Sequence, residues 1–375
     1  MSAQEFITGT GLLTPLGTSV DRTWSAILDG RWINDHSRVP LDAAGDLPRV
    51  SVLAIAAARE AIAAAEWDSH TPGSHDTALV VGTSKGPIDA WMTPLPPRSH
   101  NAEPAGRLGM SMIASLADDL GRDLALGAGP RLTICAACAS GLIALIRAAI
   151  MLRCGEASRA IVVAAESSLH PVFLGSFRRL GVLAPPGALC RPFSTPPTGF
   201  LVSEAAAAVC LERRARSDRC LGLDGSAMGS DAANITSADP SGQTPIRLIR
   251  SASAGVAADM VHAHATGTDH DSAELRAIAA ALGPTIDPAR ALPVYSHKGA
   301  LGHSLGAAGL VAVVLNACAH RQGIVPANLG GSGGEGPEIR VLAIPTACCE
   351  RPVRRSLVLA TGFGGPSAAV TLRSA

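Results

Sequence analysis

The sequence predicts an α/β protein made of two similar halves, and three observations carry that prediction. Two segments repeat one plan, in which an apolar strand runs into small and reactive residues and then into a helix apolar on nearly every side. They are Leu132–Cys138 before Gly141–Leu152, and Leu292–His297 before Ala307–Ala319. A helix hydrophobic all round is a buried helix, so two of them, each fed by a strand, place a helical layer between sheets. Composition agrees: 47% of the 375 residues are apolar and only 3% aromatic, which suits a compact Ala/Gly-rich α/β core and excludes disorder.

The remaining elements follow in chain order. Apolar residues at helical spacing predict helices over Val20–Leu28, Val50–Ala65, Gly109–Leu120 and Ser272–Leu282. Short apolar runs bounded by turn residues predict strands at Ala78–Val81, Ala160–Ala164, Ala205–Leu211, Val261–His264, Ser356–Leu359 and Ala368–Leu372. Pro/Gly-rich loops are expected at Thr93–Pro104, Leu183–Pro197, Ser237–Pro245 and Ala327–Pro337. No linker cleanly cuts the chain, which therefore reads as one unit of two intimately joined halves, 1–215 and 216–375.

Charge excludes some function classes. Thirty-one basic and 31 acidic residues balance, and the scattered arginines form no basic stripe, so neither nucleic acid nor a membrane surface is an expected partner. Met1 to Thr10 lacks the succession of a signal peptide and leads into Gly11-Leu12-Leu13-Thr14-Pro15, which points to the cytoplasm. The apolar helix Ser140–Leu152 is expected to be too short for a bilayer and carries Arg147. Nine cysteines at irregular spacings fit reduced thiols better than a disulfide framework.

Cys138 stands where a strand breaks into a helix, between the small residues Ala136, Ala137, Ala139 and Gly141. A thiol at a helix N-terminus faces unpaired N–H groups and the positive end of the helix dipole, so its pKa is expected to fall. The same N–H groups can hold an oxyanion, and the small residues let a substrate carbonyl approach the sulfur. A free cysteine more often packs as a small hydrophobe, and Cys135, Cys154, Cys190, Cys210, Cys220 and Cys318 are read that way. Cys135 and Cys138 spell C-x-x-C, but no second pair follows to complete a zinc site. Lysine occurs only at Lys85 and Lys298. In so arginine-rich a chain a retained lysine invites attention, since arginine cannot imitate a compact ammonium.

The second half supplies partners for the thiol. Val261-His262-Ala263-His264-Ala265-Thr266-Gly267-Thr268 and Ser296-His297-Lys298-Gly299-Ala300-Leu301-Gly302-His303 both place histidines at strand ends beside small residues. A thiolate with two imidazoles and an ammonium is a rational set for acyl transfer with decarboxylation. A metal site built from His262, His264, His270, Asp271 and Glu274 is the competing reading and the weaker one, because nothing forces those side chains to converge.

Five ordered motifs carry a resemblance. Cys138 in Ala-Cys-Ala-Ser-Gly, His264 in His-Ala-Thr-Gly-Thr, Lys298 and His303 in Lys-Gly-Ala-Leu-Gly-His-Ser-Leu-Gly-Ala-Ala-Gly, Phe363 in Gly-Phe-Gly-Gly, and the loop Cys190-Arg191-Pro192-Phe193 resemble β-ketoacyl-acyl carrier protein synthases over nearly the whole chain. The resemblance implies a thiolase-like fold of duplicated halves, five layers αβαβα with buried helices between two mixed sheets. It implies a homodimer, or a heterodimer with another ketosynthase-like chain, and acyl carrier protein as partner. No cofactor is implied beyond the carrier's phosphopantetheine, and no metal. By the same resemblance Cys138 takes the acyl chain, His264 and His303 assist decarboxylation of malonyl carrier protein, and Lys298 and Glu274 organise the histidines. Thr266 and Thr268 would bind pantetheine, Phe363 would gate the site, and the N–H groups of Cys138 and Phe363 would form an oxyanion hole.

The chain departs from the family pattern in places. The helix before His264 is shortened to Gln243–Ala252, Ser194 to Thr198 lack the usual charged residues, Ala312 replaces an acidic residue, and Thr361, Pro366 and Ser367 alter the gate loop. Besides the condensing enzyme, two further roles are weighed. One is a non-elongating, chain-length-factor-like subunit, against which the retained Cys138 argues. The other is a thiolase-fold acyltransferase without decarboxylation. Met110, Met112 and Ile113 are proposed for the wall of an acyl tunnel.

Overall fold

The computed structural model describes residues 5–42, 45–67, 76–92, 112–236, 241–283, 291–329 and 342–375. Its first half runs β1 Phe6–Leu13, α1 Val20–Leu28, α2 Arg49–Ala64, β2 Thr77–Gly82, α3 Ile88–Met92, α4 Ser115–Asp123, β3 Arg131–Ile134, α5 Ser140–Cys154, β4 Arg159–Glu166, α6 Pro171–Arg179 and β5 Ala205–Glu212. The second runs β6 Leu221–Ser230, α7 Gln243–Ser253, β7 Met260–His262, α8 His270–Leu282, β8 Leu292–Tyr295, α9 Lys298–Leu301, α10 Ala308–Gln322, β9 Ile324–Val325, β10 Leu342–Ala343, β11 Cys349–Glu350, β12 Arg355–Thr361 and β13 Pro366–Ser374.

Strand pairing repeats itself. The first half is ordered β3-β2-β4-β5-β1 and the second β8-β7-β12-β13-β6. In both, the first three strands pair in parallel and the last two join antiparallel. The two sets meet edge to edge where β1 pairs β6 at Phe6↔Gly222 and Ile7↔Leu221, so the two sheets expected from the sequence form one ladder of eleven strands, with β10 added at its end.

Alternation along the strands sorts the side chains into layers. Leu79, Val81, Ile161 and Val163 point outward to α2 and α4. Ala78, Val80, Ala160 and Val162 point inward to α5 and α10, which also cover Val358, Ala360 and Val370 of the second set. On the far side Val261, Leu357 and Leu359 pack against α7 and α8. This is the αβαβα arrangement, and burial of its many Leu and Val side chains contributes about 1.5–3 kcal/mol each. The stretch 137–154 has the length and apolarity to cross a membrane, contrary to the sequence expectation, but here it is a core helix packed on both strand sets of the sheet.

Several expectations need correction. In the segment Leu132–Cys138 the strand ends at Ile134, where the small residues begin, and the strand expected over Val261–His264 ends at His262, so Cys138 and His264 sit on irregular backbone just beyond a strand. The helix expected from Gly109 starts at Ser115. Residues 93–111, with the Thr93–Pro104 loop and Met110, lie outside the described residues, as do parts of the 237–245 and 327–337 loops. Strands β1 and β6 and helix α6 were not expected. All nine cysteines are free, but Cys135 and Cys154 are exposed instead of packed.

Candidate active site

The nucleophile's position comes from a sharp turn. After β3, Ala137 adopts φ +48, a left-handed conformation costly for a residue with a Cβ. Ser140 steadies the turn, its Oγ accepting from the Ala136 N–H at 2.9 Å and donating to the Ala137 carbonyl at 2.6 Å. Cys138 is thereby thrust forward, two residues ahead of α5, and opens onto a cavity of about 450 Å³. That cavity is also lined by His264, His303, Thr266, Thr268 and Phe363. The seventh and eighth site candidates, Lys298 and Glu274, are not part of that lining. Met112 is 64% exposed, and neither it nor Ile113 lines the cavity.

His303 follows α9 and is 2% exposed; its Nε2 lies 3.2 Å from Cys138 Sγ. Its ring meets His264 edge-on at 5.5 Å and Phe200 edge-on at 5.1 Å. The His264 backbone is gripped from two sides. Glu274 on α8 accepts the N–H groups of His264 at 2.7 Å and Ala265 at 2.8 Å, while the Lys298 ammonium donates to the His264 carbonyl. Asp271, one turn earlier on α8, accepts from the N–H groups of Thr266, Gly267 and Phe193, each at 2.9 Å. Thr266 and Thr268 share a hydroxyl hydrogen bond of 2.9 Å at the cavity wall. Both carboxylates of the competing metal reading are thus engaged by backbone N–H groups, and among the described residues no cluster of three His, Cys, Asp or Glu is arranged to hold a metal ion.

The electrostatics overturn one expectation. Burial pushes the Cys138 thiol up to about 11, against the pull of Lys85 and Lys298 and with Glu166 adding to the rise. Desolvation outweighs both lysines at the sulfur. Burial, reinforced by Lys298, holds both His264 and His303 well below the usual imidazole range, so both rings are neutral at pH 7. Burial lowers Lys298 to about 8, opposed by Glu274, and raises Glu274 to about 7, opposed by the His264 N–H. A neutral thiol beside a neutral imidazole needs that imidazole as its base.

Lys85 lies nearer the nucleophile's chemistry than sequence reasoning placed it. Its ammonium sits 5.2 Å over the Phe173 ring and 5.4 Å over Phe177, and donates to Ser84 Oγ at 3.0 Å. Phe177 packs on Phe200 and Phe363, joining the exposed helix α6 to the gate loop. The scarcity of lysine was the only signal for Lys85, and Phe177 gave none. At the gate loop, a Cβ on Gly362 would lie 2.9 Å from the Cys138 nitrogen, so this backbone passes directly over the nucleophile.

Comparisons with known proteins agree with this picture. The beta-ketoacyl synthase N-terminal domain matches residues 32–217 and the C-terminal domain matches residues 222–332. A 3-oxoacyl-[acyl-carrier-protein] synthase 2 of Rhizobium meliloti is 27% identical over 98% of both chains. The erythronolide synthase EryA3 of Saccharopolyspora erythraea is 34% identical over 70% of this chain, which spans 9% of that protein. Among solved structures, the ishigamide ketosynthase/chain length factor superposes over the whole of both chains with a TM-score of 0.86 at 24% identity. A ketosynthase of module 6 of the bacillaene synthase from Bacillus subtilis superposes with a TM-score of 0.84 at 20% identity, over 99% of this chain and 72% of that one. Fold and site define an acyltransferase-type condensing enzyme with a thiolase-like fold. The chain belongs to the beta-ketoacyl synthase family.

Proposed function

We propose that the protein performs a decarboxylative Claisen condensation between an acyl thioester held on Cys138 and malonyl-acyl carrier protein, in fatty-acid or polyketide-type synthesis. The observation that carries this reading is the 3.2 Å approach of His303 Nε2 to the Cys138 sulfur, with His264 on the same cavity. His303 takes the thiol proton as the sulfur attacks the acyl thioester, and returns it to the departing pantetheine thiolate. Malonyl thioester then loses CO₂, and its enolate oxygen is held by the imidazole N–H of His264. The carbanion attacks the Cys138 thioester, with the N–H groups of Cys138 and Phe363 receiving the oxyanion, and the sulfur is released for another cycle.

Thr266 and Thr268 line the cavity where a pantetheine arm would pass, and Phe363 lies on the loop over the sulfur. Lys298 and Glu274 hold the His264 backbone. The acyl carrier is acyl carrier protein, and one solved structure of the same fold is a type II ketosynthase in complex with its carrier protein. We take the working form to be a homodimer, or a heterodimer with another ketosynthase-like chain, in the cytoplasm. Edge strand β3 supports a paired state, because it ends the sheet with Leu132 and Ile134 half-exposed. No cofactor beyond the carrier's pantetheine enters this scheme.

Intact-protein mass after incubation with a panel of acyl carrier proteins tests the reading. An acyl adduct is expected on the native protein and not on Cys138→Ala. A folded native protein that takes no acyl group from any donor would point instead to a non-elongating partner subunit. An adduct with no CO₂ release from malonyl carrier protein would point to acyl transfer alone.

A further inference from the structure

Of the chain's two lysines, Lys298 belongs to the catalytic set, and the condensation scheme does not use Lys85. The footing of Lys85 is rigid. It stands on the loop after β2, where the Thr83 N–H donates to the Ile134 carbonyl at 3.1 Å and the Gly86 N–H to Thr83 Oγ1 at 3.0 Å. Glu166, fully buried at the end of β4, accepts from the Ser84 N–H and from Ser168 Oγ at 2.6 Å. Cys135, one residue beyond β3, donates to the Ser84 carbonyl at 3.4 Å. The loop is thereby tied to the strand ends that set Cys138.

Helix α6 is held less firmly. None of its residues is fully buried, it is capped by its own neighbour His170, and Ser176 Oγ bonds back to the Val172 carbonyl at 2.9 Å. Phe173 and Phe177, four residues apart, share one face of the helix. The Lys85 ammonium lies 5.2 Å from the first ring centroid and 5.4 Å from the second, within cation–π range of both. It also donates to Ser84 Oγ at 3.0 Å, and among the described residues it forms no ion pair with a carboxylate. From Phe177 the contacts continue to the Phe363 ring at 6.5 Å and to Phe200 at 5.6 Å, and Phe200 meets His303. Phe177, Phe363 and Cys138 line one cavity. Gly364 and Gly365 follow Phe363 at φ +85 and +94, so the loop has a backbone freedom that a Cβ would remove.

We propose that Lys85 is a positioning residue for the gate: from its fixed loop the ammonium holds the Phe173–Phe177 face of α6, and Phe177 in turn braces Phe363 over the sulfur. This rests on Phe363 gating access to Cys138. An acyl chain enters when Phe177 leaves the ammonium, so the cation–π contact sets how often the site opens. Methionine at this position would pack on the same rings without a charge, whereas arginine would keep a cation that stacks on aromatic faces.

Alkylation of Cys138 by iodoacetamide and by its N-decyl derivative, at one pH and read by mass spectrometry of the Cys138 peptide, measures that opening. Both reagents attack the same thiolate, so the ratio of their rates cancels any change in ionisation and reports access by a chain. Lys85→Met is expected to raise the decyl-to-plain ratio at least about fivefold over the native protein. Lys85→Arg is expected to keep it within about twofold of native. Phe173→Leu, which leaves the cavity lining intact, is expected to raise it in the same direction as Lys85→Met. A Lys85→Met ratio equal to the native one overturns the proposal, and so does a Lys85→Arg protein as open as Lys85→Met, since the charge would then have no part. Phe363→Ala separates the two levels. A raised ratio there with Lys85→Met unchanged removes Lys85 and keeps the gate, whereas an unchanged ratio in both removes the gate itself.

Discussion

At the scale of single residues, the site is a balance of burial against charge. With Cys138 at about 11, about one thiol in ten thousand is ionised at pH 7. Alkylation by iodoacetamide should therefore be slow at neutrality and climb about tenfold per pH unit toward pH 11. Lys85→Met removes the leading cation that pulls this value down, so its profile should move further up; an unchanged profile would show that Lys85 does not act on the sulfur. Glu274 gives a second pH signature. Its folded pKa of about 7 lies above the ordinary 4.5, so the folded state binds that proton more tightly and this group's contribution to stability falls as pH rises from about 4.5 to 7. Denaturant melts of Glu274→Gln should match the native pH trend below pH 5 and gain on it progressively up to pH 8. Of these residues, Cys138, His264, Lys298, His303 and Phe363 were legible because short motifs surround them, and Glu274 only through the resemblance. The direction of the Cys138 shift was not, since desolvation depends on what a distant loop places over the sulfur.

At the scale of elements, helix packing is set by small residues. A Cβ on Gly309 of α10 would come within 2.9 Å of Leu142 Cβ on α5, and one on Gly141 within 2.9 Å of Ala164 Cβ on β4. The two core helices approach this closely only because those positions lack side chains. Gly309→Ala should overpack the seam and cost about 1–3 kcal/mol in unfolding free energy, read from denaturant melts. Sequence periodicity found α1 to the residue, at Val20–Leu28, because Val20, Trp24 and Ile27 mark a buried stripe. It missed α6, none of whose residues is fully buried, leaving no core stripe to find. It missed β1 and β6 because Phe6–Leu13 and Leu221–Ser230 are broken by glycines and polar residues. Those strands are held by pairing with β5 and β13, which are distant in sequence.

At the scale of the whole molecule, the duplicated plan was legible and its seam was not. Two buried helices fed by strands announced two halves, while the joining of both sheets through Phe6, Ile7, Leu221 and Gly222 depends on pairings that no local pattern encodes. The seam bears on how the molecule is assembled. Each half can pair its own strands from its own sequence, but the sulfur belongs to the first and both imidazoles to the second. Pairings so distant along the chain form late. During refolding, strand and helix signals should therefore return before Cys138 acquires the pH-dependent reactivity that His303 confers, and simultaneous recovery would show that the halves fold only as one. A destabilising change at the seam would then silence the enzyme through slow assembly, with every catalytic side chain unaltered.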